Sequence, residues 1–130
     1  MVRKWKEEFS YVNGDDREQM VELSVEGKKQ VVDIGDLVKS ACSMVVGKVG
    51  AAIKSIVATA DPEYQPILRN NIILSGGGSL IDGIADAIAN DIADIGDVTV
   101  TCVDDPIEKV ATGAMALAQD MPDEQYTAIN

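Results

Sequence analysis

The residues able to do chemistry are concentrated in one short run, Ser75-Gly76-Gly77-Gly78-Ser79-Leu80, with Asp82 and Gly83 close behind. Three consecutive glycines carry no Cβ, so the backbone is free to take positive φ and a flat molecule can lie directly on the peptide planes. Ser79 stands where a helix N-cap would be, and Asp82 three residues on completes a capping box with Asp in place of Glu or Gln. The N–H groups of a helix starting there would face whatever covers the glycines. Asp82, Asp86, Asp91 and Asp94 follow and would repel a triphosphate, so a base and sugar suit the turn better than phosphates. The same residues also make an ordinary strand-to-helix corner, and a short glycine motif does not decide between the two readings.

Other chemistry is sparse. The 130 residues include no histidine, which removes the commonest general base and every Ser-His or Cys-His nucleophile arrangement. The two cysteines, Cys42 and Cys102, lie sixty residues apart among apolar neighbours and suggest neither a disulfide nor a metal site. An acid-only enzyme would need a carboxylate pair. Asp104 and Asp105 adjoin but one is needed as a cap, and Asp82 with Asp86 is more simply a solvated helix face. No catalytic and no metal-ligating residue is therefore assigned.

The net charge of −11 lies entirely in the second half, where residues 61–130 carry thirteen acids against Arg69 and Lys109. That balance argues against nucleic acid and against an anionic membrane surface as partner. No run approaches the roughly 18 apolar residues of a membrane span, and the basic, aromatic N-terminus is unlike a signal peptide; a cytoplasmic protein is expected. The 46% hydrophobic content supports a core, and with one Trp, one Phe and three Tyr that core must be aliphatic.

The elements that must position the turn follow from periodicity. Val2, Trp5 and Phe9 have helical spacing. Asn13-Gly14-Asp15-Asp16 is turn chemistry, and Val21, Leu23 and Val25 alternate with polar residues as a half-buried strand. Gly27 allows a turn into a hairpin partner over Gln30–Val32. Asp33 is the expected N-cap of a long helix from Ile34 to about Ala60, apolar around most of its girth and so expected to be covered by protein. Gly47 and Gly50 predict close packing or a bend in it. After Asp61-Pro62-Glu63, residues 64–70 read as a connector into a strand at Ile72–Ser75. Ile81, Ile84, Ile88, Ile92 and Ile95 then form a helical stripe ending at Gly96. Val98–Val103 is a second strand, most simply parallel to the first. Asp105 as N-cap, Pro106 at the first position and Glu108 predict a last helix to about Gln119, with Val110, Ala114 and Leu117 inward and Gly113 allowing close approach.

The Leu74–Gly83 turn, the Ile-Ala-Asp helix after it, and the Val103-Asp104-Asp105-Pro106 helix start with Ala111-Thr112-Gly113-Ala114 behind it occur in one order that resembles the C-terminal part of bacterial actin-like proteins of the MreB and magnetosome-filament (MamK) type. Pro62-Glu63-Tyr64-Gln65 and Val100-Thr101-Cys102-Val103 look similar to the MamK-type sequences, and Lys6–Val12 to the family's Lys-Glu helix end. The resemblance implies an α/β, actin-like (ribonuclease H-like) ATPase superfamily fold, present as a partial domain: a small N-terminal α+β subdomain, residues 1–55, and a strand-helix-strand-helix core, 56–119, with a polar tail over 120–130. It implies that Gly76, Gly77 and Gly78 form the wall beneath an adenosine, that Ser79 and Leu80 lie beside the base, and that Lys6 and Glu7 close the other side. The cofactor would be ATP or ADP, with any magnesium held by phosphates and by residues this chain lacks.

The family's two phosphate loops, Asp-x-Gly-x-Thr turns, are absent from these residues, and with them the groups that position attacking water. By itself this chain is expected not to hydrolyse ATP. The implied function is the adenosine-binding half of a filament-forming bacterial actin, cytoskeletal, with actin-like protomers, itself or a full-length homologue, as partners and no insertion into membrane. A stand-alone interaction module that caps or copolymerises with an actin-like filament without nucleotide is the alternative. A fragment of another actin-fold protein, such as a sugar kinase or chaperone ATPase, fits the Lys-Glu and Asp-Pro features less well.

Overall fold

A computed structural model describes residues 2–122. Helix α1 (Val2–Phe9) leads through a bent segment into the antiparallel hairpin of β1 (Met20–Val25) and β2 (Lys28–Asp33), paired from Met20↔Asp33 to Val25↔Lys28. Glu26 and Gly27, both at positive φ, form the two-residue turn that the strand twist favours. Helix α2 (Gly35–Thr59) follows, then a short helix α3 (Gln65–Arg69). Strand β3 (Ile72–Leu74) pairs in parallel with β4 (Val100–Cys102), and between them lie a 3-10 turn at Gly77–Leu80 and helix α4 (Ile84–Asp91). Helix α5 (Lys109–Asp120) completes the described residues; the polar tail expected over 120–130 lies outside them from residue 123.

The core sits where α2 crosses α4 over the parallel pair. Val46, Ile84, Ile88 and Ile92 form its centre, with Val12, Val49, Ile53, Leu74, Ile81 and Val100 packed around them. This is the isoleucine stripe that the sequence predicts. Gly50 makes the crossing possible: a Cβ there would stand 3.1 Å from Cγ2 of Ile92 and closer still to the carboxylate of Asp91. Gly47 and Gly113, expected to mark close approaches, have open space around them.

Several boundaries differ from expectation. Asp33 ends β2, and the N-cap of α2 is Ile34 with no side-chain cap. The Asp33 carboxylate nonetheless accepts from the N–H of Gly35 at 2.9 Å and of Gln19 at 2.8 Å, so it fastens the helix start to the strand. The residues 64–70 connector contains α3, started by Pro66 in its first turn. Asp105 is not an N-cap: it sits at φ +48°, its carbonyl accepts from Glu108 and Lys109, and α5 begins only at Lys109. Most of α2 is uncovered, with Leu37, Met44 and Ile56 each at least 65% exposed, because α1, α3 and α4 all pack on one side of a helix that is apolar nearly all round. Val110 and Leu117, expected inward, are likewise exposed. On length and composition α2 could cross a bilayer. One stripe of it packs against α4, and Asp36, Lys39, Lys48 and Lys54 lie along its length.

The two backbone N–H donors hold the Asp33 carboxyl below the usual carboxylate range, Gly35 contributing most and Gln19 next. A depressed folded pKa stabilises above the unfolded value, about 3.9, and that contribution disappears as pH falls through the folded pKa. Urea midpoints measured between pH 5 and pH 2.5 are therefore expected to fall with acid, and more steeply for the unaltered chain than for Asp33→Asn. Equal slopes for the two would remove Asp33 from the account.

Candidate functional site

Strand β3 delivers the chain to Gly76, which takes φ +84° and ψ 173°, a conformation open to glycine and not to residues with a Cβ. Its N–H donates to the carbonyl of Pro106 at 3.1 Å, and the Ser75 hydroxyl donates to the same oxygen at 3.4 Å, so the glycine turn is tied to the turn that precedes α5. The 3-10 turn is then closed by Ser79 N–H to Gly76 carbonyl at 3.0 Å and Ile81 N–H to Gly78 carbonyl at 3.3 Å. Gly77 and Gly78 are exposed, and a Cβ on either would meet nothing within 4 Å.

Ser79 and Asp82 do not cap a helix. The Ser79 hydroxyl donates to the Gly76 carbonyl at 2.8 Å, and α4 starts at Ile84, with Gly83 in the left-handed region at its N-cap. The helix N–H groups expected over the glycines thus lie several residues further on. Leu80 stands out from the turn, 57% exposed. Beside it opens a cleft of about 440 Å³, with Asn13, Ser79, Asp82, Asp86 and Cys102 in its wall. Behind the turn a smaller gap of about 130 Å³ is apolar, lined by Val45, Val49, Leu74, Ile84 and Ile88.

Lys6 and Glu7 are both exposed on α1. The Glu7 carboxylate accepts from Arg3 of the same helix at 2.8 Å, and that guanidinium lowers its pKa. The Lys6 carbonyl accepts the Ser10 hydroxyl. One helical turn further on, the chain meets the glycine turn's exit: Asp82 N–H donates to Ser10 carbonyl at 3.2 Å and Val12 N–H to Asp82 carbonyl at 2.9 Å, a parallel bridge between Tyr11 and Asp82. This joint ties the segment after α1 to the exit of the glycine turn, about seventy positions away; of the expected site residues Ser79 and Leu80 line the cleft, and Lys6, Glu7, Gly76, Gly77 and Gly78 do not. Around it are residues that sequence reasoning passed over: Tyr11, wholly buried, with Asn13 and Arg17 beside it. A tyrosine set among polar turn residues was the available signal.

Among the described residues no cluster of His, Cys, Asp or Glu could hold a metal ion. The site is an exposed glycine surface with one hydrophobic side chain at its edge, joined at Asp82 to the segment that follows α1.

Solved structures show the class of this fold, an actin-like protein. The chain superposes on a MamK double helical filament with a TM-score of 0.85 at 34% identity, covering 92% of this chain and 37% of that one. A non-polymerising MamK mutant bound to AMPPNP matches with a TM-score of 0.80 at 33% identity, over 90% of this chain and 36% of that one. The family model for MreB/Mbl protein matches residues 3–126, and the chain belongs to that family. It is 33% identical over 121 residues to the actin-like protein MamK of Paramagnetospirillum magneticum, which is 93% of this chain and 35% of the relative. It is 26% identical over 122 residues to a MamK-like protein of the same organism. The chain thus spans about a third of the length of the curated relatives it matches. The expected membership among bacterial actins, and the partial actin-like fold, are both borne out.

Proposed function

We propose that this chain is the adenosine-nucleotide-binding half of a MamK/MreB-like bacterial actin that assembles into cytoskeletal filaments. Gly76, Gly77 and Gly78 form the floor under adenine and ribose of ATP or ADP, Ser79 and Leu80 flank the base, and Lys6 and Glu7 close the opposite side. In this reading residues 1–55 are a small subdomain and 56–119 the end of the nucleotide-side subdomain. The chain acts in the cytoplasm, and its partners are actin-like protomers. It supplies no phosphate loops and does not hydrolyse ATP unaided.

The observation that carries the reading is the openness at Gly77 and Gly78. Neither has positive φ, and neither is short of room, so the chain's own fold gives no reason for glycine there. A ligand lying on the peptide planes does. The AMPPNP held by a structure that matches over 90% of this chain is of the implied class.

Calorimetric titration of the purified chain with ADP and ATP tests it. Binding in the micromolar to low-millimolar range is expected, lost in Gly77→Val while the thermal midpoint of that variant stays within a few degrees, as befits an exposed site with no neighbours. A folded chain that ignores millimolar nucleotide overturns the reading. The exposed apolar residues of α2 and α5 then favour the second one, a module that docks on an actin-like filament without nucleotide.

A further inference from the structure

The two walls of the proposed site come from distant parts of the chain, and among the described residues the backbone joins the end of α1 to the exit of the glycine turn by the two hydrogen bonds at Asp82. One side chain reinforces that joint. The Arg17 guanidinium donates to the Asp82 carboxylate at 2.6 Å and to the Asn13 side-chain oxygen at 2.9 Å, and lies 4.6 Å from the centre of the Tyr11 ring. Asn13 in turn donates to the Asp82 carboxylate at 3.4 Å.

Arg17 is itself held firmly. Its backbone N–H donates to the Tyr11 hydroxyl at 3.0 Å, and that hydroxyl donates on to the carbonyl of Gly35 at 3.4 Å. A Cβ on Gly35 would lie 3.0 Å from the Arg17 carbonyl carbon and closer still to its oxygen, so this stretch is wedged against the start of α2. Lys39 closes the same loop from α2, donating to Asp16 at 2.8 Å and to the Gly14 carbonyl at 2.9 Å.

We propose that Arg17 is a positioning residue for the adenosine site: from its seat on Tyr11 and α2 it holds Asp82, and through Asp82 sets the spacing between the end of α1 and the glycine turn. The proposal rests on the nucleotide reading above. Arg17 belongs to neither wall, so its effect on the ligand runs through the residues it holds, Asp82 first and Asn13 beside it. The pair is about half exposed, and a lone ion pair at that exposure contributes little. Here one guanidinium joins a carboxylate, an amide and a ring that belong to both sides of the joint, and such contacts act together.

The test combines nucleotide titration with amide hydrogen exchange on the purified chain and on Arg17→Gln, Asp82→Asn, the double variant and Arg17→Lys. In Arg17→Gln the exchange of the Val12 and Asp82 amides is expected to quicken about tenfold while core amides of α4 keep their protection. ADP affinity is expected to fall about three- to tenfold in each single variant and no further in the double, the non-additivity of groups acting as one unit. Arg17→Lys, which keeps the charge but not the fork, recovers part of the affinity. Faster exchange with unchanged affinity would overturn the positioning role, as would additive losses. An unaltered chain that binds no nucleotide would overturn the site and this role with it, and unchanged exchange in Arg17→Gln would remove the latch on its own. Should Arg17→Gln fail to fold, Asp82→Asn and Arg17→Lys carry the same comparison.

Discussion

Gly83→Ala is expected to destabilise the chain by about 2–4 kcal/mol, the sum of a left-handed conformation forced on a residue with a Cβ and of overpacking. Gly83 sits at φ +78°, and its new methyl would stand 2.5 Å from Cγ of Asn13 and closer to the Asn13 Cβ. The Asn13 side chain has little freedom to retreat, because Arg17 donates to its oxygen and its nitrogen donates to Asp82. The damage therefore falls on the joint between α1 and the glycine turn as well as on global stability. Urea denaturation gives the size, and amide exchange at Val12 and Asp82 gives the place. A loss below about 0.5 kcal/mol, the usual range of a neutral surface change, would show that the joint adjusts freely. Gly83 and Gly77 are thus opposite cases within one turn: a Cβ at the first meets Asn13, whereas a Cβ at the second meets nothing within 4 Å.

Ile92→Ala should cost about 2–5 kcal/mol, the range for removing a buried aliphatic side chain and leaving part of the cavity unfilled. Ile92 has no exposed surface and packs with Val46, Ile84 and Ile88 at the α2–α4 crossing. Gly50 of α2 lies beside it, since a Cβ added at Gly50 would stand 3.1 Å from Cγ2 of Ile92. Only nine apolar residues are buried among those described, and typical domain stabilities are about 5–15 kcal/mol, so this one change removes a large share of the total. A urea midpoint that falls with unchanged slope is the expected form. Leu37→Ala provides the contrast: at 71% exposure it should change little in this chain taken alone. A comparable loss in both would mean that the exposed face of α2 is already covered by another copy.

The order of elements was legible in the residues. Alternation at Val21, Leu23 and Val25 gave a strand, the isoleucine stripe from Ile84 to Ile92 gave a buried helix face, and β-branched residues at 98–103 gave the parallel partner of β3. These signals are local, since strand and helix periods are written in neighbouring positions. The glycine turn was legible for the same reason: the missing Cβ atoms permit the positive φ that Gly76 takes and leave the backbone open at Gly77 and Gly78.

Capping was not. Ser79 and Asp105 each have the residue type and spacing of an N-cap, and neither serves as one, because the Ser79 hydroxyl turns back to Gly76 and Asp105 is drawn into a turn whose Pro106 carbonyl receives Gly76 and Ser75. Short polar side chains satisfy turns as readily as helix ends, and tertiary contacts choose between them. The covered face of α2 could not be read either: its apolar positions run nearly all round, and only the positions of α1, α3 and α4 decide that Cys42, Val46, Gly50 and Val57 are inside while Leu37 and Ile56 are not. What the sequence determined by itself was the set of elements and the chemistry of one turn. The tertiary structure alone decided that Tyr11, Arg17 and Asp82 meet, because contacts between residues about seventy positions apart depend on chain geometry and leave no local pattern.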